Sequence, residues 1–512
     1  MDRELMEKEV LCILDTRQIQ RYMFRTNSFM DTIGGSDLLD HITMDALEDA
    51  MKSVDPPLRE DEYVLSQEPT AEDIPYFTTP GIKFQLIICA AGNAICIVRT
   101  GALCQKIIRR ISRYYLEAGY SLNLTAAATE RTDNYGQDVS RLYQKLKNIK
   151  ASSEISDPMG TLPVIMREKR TGEPVIAFDE ERGDYVSRSS VIRRTEAKGR
   201  VNCVEMKDMH VTKAADGKSY LAFIHADGNN LGITIGRIMQ ATSGYVDAIV
   251  TRRIVAQNIE TAYIQVMEKT TGELKAYYQK KGGRIEEFPH EFQVLHQAGD
   301  DINIMCNANL AFPFLDFFYQ NLKDATIWEK DGERIPLYVC AGISFVDRES
   351  SFHASYHMAE ECCSSAKAKA KEERHLQNGL AGNWIDFQVC ENPNVQELDM
   401  LRTRSYHTAE GIDLMLRPYS LELADREEPF YYETLMERVQ RLKKLHLPAV
   451  QMSLLRQSYT MGRQEYTRWI RRMKEKGYDL AESLGSPIYT DTERISHAVW
   501  FDAVELMDFL GK

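Results

Sequence analysis

The chain presents one order of segments twice, and this internal repeat limits its possible folds more than any other feature. In each copy an apolar run ends in an acid, Asp15 in the first and Asp227 in the second. An apolar hairpin candidate, a helical stretch, another apolar run and a closing helix follow. The strand acids lie 212 residues apart, and the hairpins, aligned as residues 91–94 on residues 298–301, lie 207 apart. Near-constant offsets of this kind indicate duplication of one βα-rich unit.

Both copies predict the same arrangement of strands and helices. The segments are residues 10–15, 85–97, 103–116, 122–128 and 139–150 in the first copy, and residues 220–227, 292–305, 312–322, 337–345 and 353–371 in the second. With a helix between the first strand and the hairpin, the order is strand, helix, hairpin, helix and strand, which predicts a ferredoxin-like sheet. We therefore expect an α+β protein with two ferredoxin-like domains of the palm or nucleotide-cyclase type.

The last part of the chain changes character, because its apolar residues recur at helical spacing. The predicted helices are residues 431–445, 449–461, 464–476 and 496–510. A chain of 512 residues is also too long for one hydrophobic core. We predict four regions: a first, degenerate palm domain at 1–150, a β-rich linker region at 151–205, a second, active palm domain at 206–400, and a helical C-terminal domain at 401–512.

The second copy places acids where two strands end. Asp227 closes an apolar strand, and Asp300 and Asp301 form the tip of the following hairpin, where Gly299 permits a tight turn. Mg²⁺ takes hard oxygen ligands, usually one or two carboxylates together with phosphate oxygens and water. We predict that Asp227, Asp300 and the Gly228 carbonyl hold two Mg²⁺ or Mn²⁺ ions. Asp227, Asp300 and Asp301 are then the predicted catalytic residues of a nucleotidyl transfer.

The first copy lacks this acidic set. It keeps Asp15 but has Asn93 and Ala94 in its hairpin, and one carboxylate does not hold a pair of Mg²⁺ ions. We therefore interpret the first copy as a structural or regulatory partner. For the second copy the alternative is that Asp300 and Asp301 form an ordinary Asp-rich surface turn. Their apolar flanking residues favour the metal site.

A cation is expected beside a bound triphosphate. Lys367 is the candidate, because it lies in a run of alternating alanine and lysine on the helix after the last strand. The alternative is a solvated helix face, which we favour for Lys369 and Lys371.

Several histidines are interpreted as structural or surface residues. His353 and His357 have helical spacing but lack the glutamate of a zinc-peptidase helix, which favours a surface position. His225 precedes Asp227 by two residues and is expected on the same strand face. Packing is the favoured role for His225, with proton transfer as the alternative.

Composition restricts the class of protein further. The net charge of −13 argues against general nucleic-acid coating, but residues 438–476 contain eleven Lys or Arg and two acids. This basic window is either a solvated helical face or a contact surface for RNA phosphates or an acidic partner. No apolar run is long enough to span a bilayer, the charged start is unlike a signal peptide, and the ten cysteines include no CxxC pair. We expect a cytoplasmic protein without metal-thiolate sites.

Five motifs in the same order resemble the large polymerase/cyclase subunit of type III CRISPR effector complexes. They are residues 15–24 with 34–39, residues 90–93, residues 227–232, residues 298–301 and residues 365–367. The resemblance implies two palm domains, the second with a GGDD-like hairpin, and synthesis of cyclic oligoadenylate from ATP when target RNA is bound. It also implies nucleotide contacts by Asn230, Gly299 and Lys367, and partners that include guide or target RNA and other effector subunits.

The chain departs from that family in three places. No HD nuclease domain precedes the first palm, no cysteine-based zinc ribbon separates the palms, and Ala298 stands at the first hairpin glycine. Residues 162–200 are instead predicted to be β-rich and basic, with a turn at residues 171–174. These differences leave open whether the chain is a CRISPR subunit or a freestanding relative in another antiphage system.

Three functional hypotheses follow. The leading one is a metal-dependent nucleotidyl transferase that converts ATP or another nucleoside triphosphate to a cyclic oligonucleotide messenger, gated by RNA or by a protein partner and open to homo-oligomer formation. The second is a catalytically silent scaffold that binds nucleotide or RNA. The third is a diguanylate cyclase, which the duplication and the lack of a sensory or membrane segment disfavour.

Overall fold

Helices and strands are mixed along the whole described chain, which confirms the predicted combination of α and β structure. The computed structural model describes residues 3–26, 28–90, 92–152, 164–180, 183–197, 204–214, 217–330, 333–372, 376, 381–391, 397–422, 429–478, 480, 488–490 and 495–510. Ala91 and, within the predicted linker region at 151–205, residues 153–163, 181–182 and 198–203 (Cys203 among them) lie outside these ranges. Among the described residues, no helix combines the length and the apolarity that crossing a membrane requires.

The elements of the first copy follow the predicted order. They are β1 Val10–Arg17, α1 Ile19–Met23, α2 Phe29–Ser53, β2 Tyr63–Val64, β3 Phe84–Ala90, β4 Asn93–Val98, α3 Gly101–Tyr114, β5 Asn123–Glu130, α4 Tyr135–Ser152, β6 Val175–Asp179, β7 Asp184–Ser187 and α5 Arg188–Ala197. The prediction of a β-rich segment at residues 162–200 is therefore right for the hairpin β6–β7 and wrong for α5. The predicted turn is present, since the Gly172 amide donates to the Glu168 carbonyl.

The remaining elements contain the second copy and the C-terminal part. They are β8 Thr212–Lys213, β9 Ser219–Gly228, α6 Leu231–Gln240, α7 Gly244–Lys280, β10 Phe292–Ala298, β11 Asp301–Asn307, α8 Ala311–Leu322, β12 Thr326–Lys330, β13 Glu333–Pro336, β14 Val339–Asp347, α9 Phe352–Ala370, β15 Trp384–Val389, α10 Leu398–Ser405, β16 Ile412–Asp413, β17 Tyr419–Ser420, α11 Tyr432–Lys444, α12 Ala449–Thr460, α13 Arg463–Glu475, β18 Ile488–Thr490, β19 Ser496–Ala498 and α14 Phe501–Leu510. Three of the four predicted C-terminal helices are thereby confirmed, as α11, α12 and α13.

The fourth prediction, a helix over residues 496–510, is wrong in its first part. Residues 496–498 form β19, which pairs parallel with β16 and antiparallel with β18. The helix begins only at Phe501. Pairing with β16 and β18 satisfies the backbone hydrogen-bonding groups of β19. Because this stabilisation depends on the partner strands, the local spacing of apolar residues does not reveal it.

The first sheet has five strands in the order β2-β3-β4-β1-β5. Strand β1 lies between β4 and β5 and is antiparallel to both. Leu11 and Ile13 of β1 belong to a buried apolar cluster with Leu142 and Leu146 of α4 and Ile249 of α7. This burial fixes β1 in place, so its final acid emerges at a defined position on the sheet.

The second sheet has seven strands and repeats this plan. Its order is β10-β11-β9-β14-β15-β17, with β8 paired to β9. Strand β9 is antiparallel to β11 and to β14, and β14 is parallel to β15. In both sheets the strand that bears the acid lies between the second hairpin strand and the next long strand. The repeated strand order agrees with the duplication predicted from the sequence.

The strand register corrects the predicted alignment of the two hairpins by one residue. Asn93 pairs with Asp15 in the first sheet. In the second sheet the last β11–β9 pair is Ile302 with Ala226, and the same register continued by one residue sets Asp301 opposite Asp227. Asn93 therefore corresponds to Asp301, whereas the sequence alignment had matched it to Asp300.

The different positions of the glycines in the two hairpin turns explain this error. Each hairpin turn contains one glycine in the left-handed region, Gly92 with φ +75° and Gly299 with φ +57°. The sequence alignment matched these glycines, but Gly92 directly precedes β4, whereas Asp300 separates Gly299 from β11. In register, Gly92 and Asn93 stand where the second sheet has Asp300 and Asp301. The conclusion that the first hairpin lacks both acids is unchanged.

Helix α9 packs directly against β14. A Cβ atom at Gly342 would lie 2.0 Å from the Ala359 carbonyl oxygen and 2.2 Å from the Cys363 amide nitrogen, so only glycine permits this approach. The Ser344 hydroxyl also donates to the Ser355 carbonyl at 2.6 Å. These contacts hold α9 close to the second sheet.

The described contacts divide the chain into two compact units. One contains residues 1–203, 231–263 and 326–335, and the other contains residues 204–230, 264–325 and 336–512. The first sheet belongs to the first unit and the second sheet to the second. The four regions predicted from the sequence stay a prediction.

Candidate functional site

Asp227 lies at the end of a strand that is otherwise buried. All residues of β9 from Tyr220 to Ala226 are buried, and the Asp227 side chain is 33% exposed. The neighbouring Gly228, which was predicted to offer its carbonyl to a metal, is buried at the end of β9 opposite Val339. Burial of the strand therefore delivers one carboxylate to the solvent-facing end of the sheet.

The hairpin β10–β11 brings the second carboxylate to the same end. Ala298 and Asp301 form its last pair, which leaves Gly299 and Asp300 as a two-residue turn. A Cβ atom at Gly299 would meet nothing within 4 Å, so the requirement for glycine comes from its positive φ and not from lack of space. The turn places Asp300 next to Asp227.

The pKa of Asp300 reflects its closeness to Asp227. Burial and the negative charge of Asp227 raise the pKa of Asp300 from 3.8 to about 6, and the positive charge of Lys367 offsets part of the shift. Two carboxylates this close favour a proton or a cation between them. The pair therefore has the electrostatic character of a cation site.

Lys367, the predicted cation beside a bound triphosphate, pairs its ammonium with Asp227. Lys367 Nζ donates to Asp227 Oδ2, and the lysine side chain is 21% exposed. Burial lowers the pKa of Lys367, but the charge of Asp227 and the hydrogen bond to it outweigh burial and raise the pKa above its usual value. The lysine is thus charged and stabilises the Asp227 carboxylate.

Asp301 belongs to a separate set of contacts. Asn303 Nδ2 donates to Asp301 Oδ1 at 2.7 Å. His225 Nδ1 donates to Asn303 Oδ1, also at 2.7 Å, because an amide oxygen only accepts. The ring of Tyr356, on α9, packs edge-to-face with the His225 ring, with centroids 5.8 Å apart. His225 therefore packs as predicted, but it also takes part in a hydrogen-bonded chain.

The two asparagines after Asp227 fix the loop that follows β9. Asn229 Nδ2 donates to the Gly382 carbonyl at 2.9 Å, and Asn230 Nδ2 donates to the Ala381 carbonyl at 2.8 Å. Asn230 also adopts a left-handed conformation, with φ +63°. Asn230 was predicted to contact a nucleotide, and its side-chain amide nitrogen is bonded to the protein backbone.

The first sheet keeps part of this arrangement. Lys150, near the end of α4, forms an ion pair with Asp15 at 2.6 Å, just as Lys367 pairs with Asp227. Sequence reasoning missed Lys150. The signal was available, because a lysine stands near the end of the closing helix in both copies.

The carboxylates fit Mg²⁺ that arrives together with a nucleotide. Among the described residues, no group of three or more His, Cys, Asp or Glu side chains is arranged to hold a metal ion. Mg²⁺ does not require such a cage, since one or two carboxylates with phosphate oxygens and water satisfy it. Asp227 and Asp300 supply those two carboxylates, whereas Asp301 is turned toward Asn303.

The other candidates lie elsewhere in their units. His353 and His357 are both exposed on α9, with ring centroids 6.3 Å apart. The nine described cysteines are free thiols, and all except Cys89 are buried. Within the basic window, Arg438 is buried and Arg456 pairs with acids of its own unit, so these two residues are not part of an exposed basic face.

Comparison with solved structures shows which known proteins have a similar fold. A Csm1–Csm4 cassette in complex with cA3 matches with a TM-score of 0.53 at 12% identity, over 99% of this chain and 70% of that chain. The apo cassette matches with a TM-score of 0.49 at 13% identity, over 100% and 71%. The Csm1–Csm4 subcomplex of the type III-A CRISPR-Csm interference complex matches with a TM-score of 0.48 at 12% identity, over 100% and 71%. No protein-family model and no curated protein matches the chain.

The fold and the site define a class: a duplicated α/β chain in which one sheet bears paired carboxylates at its strand ends. The first of these matches shows the fold of the cA3-bound cassette along nearly the whole chain. The resemblance to type III CRISPR effector subunits is thereby confirmed at the level of the fold.

Proposed function

We propose that this chain is a metal-dependent nucleotidyl transferase that joins nucleoside triphosphates, ATP foremost, into a cyclic oligonucleotide. One observation carries the proposal: Asp227 and Asp300 form a close carboxylate pair at the end of the second sheet, with Lys367 beside them. Such a set suits divalent ions and a triphosphate. The likeness of the fold to a Csm1–Csm4 cassette in complex with cA3 supports it. The proposed setting is antiviral defence within a CRISPR effector complex.

Each residue has a proposed task. Asp227 and Asp300 would hold the Mg²⁺ ions, which supply neutralisation of phosphate charge and activation of the attacking hydroxyl group. Lys367, held beside Asp227, adds a positive charge for the triphosphate. Gly299 leaves open space at the hairpin tip, because nothing lies within 4 Å of its Cβ position. Asn230 shapes the neighbouring loop through its bond to the Ala381 carbonyl.

We propose the two sheets as two palm domains with different roles. The sheets share one strand order, but only the second has carboxylates in its hairpin. The first would then be a structural or regulatory palm. The C-terminal helices α11 and α13 present exposed basic residues, which fit RNA phosphates or an acidic subunit of the effector complex.

A nucleotide-binding scaffold without turnover is the second candidate. The observation that favours it is the pairing of Asp227 with Lys367, which repeats the pairing of Asp15 with Lys150 in the sheet whose hairpin lacks acids. A lysine that stays on Asp227 would leave only Asp300 for metal.

The test is product formation from nucleoside triphosphates. The purified chain is incubated with each triphosphate and with their mixture, with Mg²⁺ or Mn²⁺, and with and without RNA and candidate partner subunits. Mass spectrometry then identifies the products. We expect a cyclic oligonucleotide that disappears in the double variant Asp300→Ala with Asp301→Ala.

The matched control removes the same charge elsewhere. Glu60 and Asp61 are adjacent exposed acids of the first unit, and Glu60→Ala with Asp61→Ala should leave the product unchanged. Product that persists without Asp300 and Asp301 contradicts the proposal. Nucleotide binding without product under every condition favours the scaffold.

A further inference from the structure

The second sheet contains a buried polar pair directly beneath its acids. His225 of β9 and Asn303 of β11 are opposite each other in the antiparallel register, and their residues are 5% and 1% exposed. Burying an imidazole and an amide costs free energy unless both are hydrogen bonded. Formation of the sheet alone therefore does not explain why a polar pair is buried here.

The first sheet shows that the fold itself does not need polar residues there. The same position in its register is occupied by Ile13 and Ile95, opposite each other and each 2% exposed. Both belong to the apolar cluster that α4 and α7 cover. The duplication thus supplies an internal comparison: the sheet with acids has the polar pair, and the sheet without acids has an apolar pair.

The polar pair is connected to one acid only. Asn303 uses its amide oxygen to accept from His225 Nδ1 and its amide nitrogen to donate to Asp301 Oδ1, both at 2.7 Å. One orientation of the amide satisfies both bonds, so the side chain has no equivalent flipped state. The His225 ring is in turn held by Tyr356 of α9. The carboxylate of Asp301 is therefore held by Asn303, which is buried and is itself bonded to the buried His225.

We propose that Asn303, oriented by His225, is a positioning residue that keeps Asp301 apart from the carboxylate pair of Asp227 and Asp300. The inference rests on the proposed nucleotidyl transfer at that pair. In this proposal the three acids have different roles. Asp227 and Asp300 share a cation, and Asp301 is held in a fixed orientation away from them. Asp301 Oδ1 also lies 3.5 Å from His225 Nδ1, so only without both Asn303 and His225 is Asp301 free to rotate toward the other two and join them as a third cation ligand.

The test copies the apolar pair of the first sheet into the second. In His225→Ile with Asn303→Ile the core stays filled, and thermal unfolding verifies the fold. Mn²⁺ binding to the nucleotide-free protein is measured by calorimetry, and kcat and KM for ATP are measured separately. We expect Mn²⁺ to bind at least threefold more tightly, kcat to fall at least tenfold, and KM to change less than twofold.

Three further variants keep the test decisive. Asn303→Ser, which is too short to reach Asp301, should shift Mn²⁺ affinity and kcat in the same directions but by less, because His225 stays 3.5 Å from Asp301. It replaces the double variant if that one does not fold. His225→Gln, which retains a donor for Asn303, should stay within about threefold of wild type in kcat. Ile304→Val, a buried change on the other face of β11, should alter thermal stability but not Mn²⁺ affinity.

The outcomes separate this inference from the proposed function. A folded double variant whose Mn²⁺ affinity equals that of the wild type overturns the positioning role, whether kcat falls or not, and so does the absence of Mn²⁺ binding in both. Wild-type protein that makes no product under any condition overturns the proposed function. The comparison of Mn²⁺ affinities still decides the role of Asn303 in that case.

Discussion

The ammonium group of Lys367 contacts the carboxylate of Asp227, so a lysine stands beside one of the two acids that form the candidate site. The same relationship joins Lys150 to Asp15 in the first sheet, at 2.6 Å. In the first sheet the lysine neutralises the acid at the strand end. In the second sheet Asp300 adds a further negative charge, and one lysine does not balance both.

Lys367→Met should therefore make the metal-free protein depend on added cations. Loss of the ammonium leaves Asp227 and Asp300 to repel each other, and we expect a loss of about 1 kcal/mol of folding stability in a chelating buffer. Mn²⁺ should then raise the melting temperature of the variant more than that of the wild type, because the ion replaces the missing charge. Differential scanning calorimetry with and without Mn²⁺ measures this.

The control for that variant lies two residues further along α9. Lys369 is similarly shielded from solvent, at 22% exposure, but pairs with Glu372. Lys369→Met should lose little stability and gain no additional response to Mn²⁺. An equal response in both variants would contradict the assignment of Lys367 to the site.

Asp300→Asn should stabilise the metal-free protein at neutral pH. The pKa of Asp300 in the folded protein, about 6, lies above its ordinary value of 3.8, so the folded state binds this proton more tightly than the unfolded chain. Ionisation above that pKa therefore costs stability, and the cost disappears as the pH falls from about 6 toward 4. We expect a gain of about 1 to 3 kcal/mol for the variant at neutral pH.

Chemical denaturation as a function of pH checks this prediction. The difference between the Asp300→Asn variant and the wild type should shrink as the pH falls toward 4, since the wild-type carboxyl is then protonated as well. The same substitution at the exposed Asp61 should show no such pH-dependent difference. An Asp300→Asn variant that is less stable than the wild type at every pH contradicts the close pairing of Asp227 with Asp300.

Gly342→Ala should disrupt the packing of α9 on β14. The added methyl group would lie 2.0 Å from the Ala359 carbonyl oxygen, which is backbone and has no room to yield. We expect a loss of about 2 to 3 kcal/mol in urea denaturation. Gly272→Ala is the control, because Gly272 lies in α7 with nothing near its Cβ position. That change should be neutral or stabilise by up to about 1 kcal/mol.

Exposed and buried arginines of the basic window should behave differently. Arg468, Arg471 and Arg472 are exposed on α13, so their combined change to Gln should weaken binding of single-stranded RNA and reduce the slope of log K against log salt by about 2. Arg438→Gln and Arg456→Gln should instead lower thermal stability, because both side chains are largely buried. Fluorescence anisotropy at several salt concentrations measures the binding. Identical slopes for all variants would contradict an RNA contact on α13.

Much of the candidate site was predictable because its residues mark the ends of apolar runs. Asp227 and the turn at Gly299 follow from local hydrophobicity and from the need of a tight turn for a positive φ. Lys367 followed from its place on the closing helix. The pairing of Asn93 with Asp15 did not follow, since strand register depends on hydrogen bonds between segments that are far apart in sequence.

Residue type and local periodicity by themselves determined the duplication, the two hairpins, the loss of acids from the first hairpin and most helix positions. These features depend on interactions within a few residues, which a linear pattern records. Tertiary structure alone decided that Asp301 is held by Asn303 and His225, that Lys367 pairs with Asp227, and which basic residues are buried. Each of these depends on the distance between side chains on different elements, and such distances exist only once the sheet has assembled.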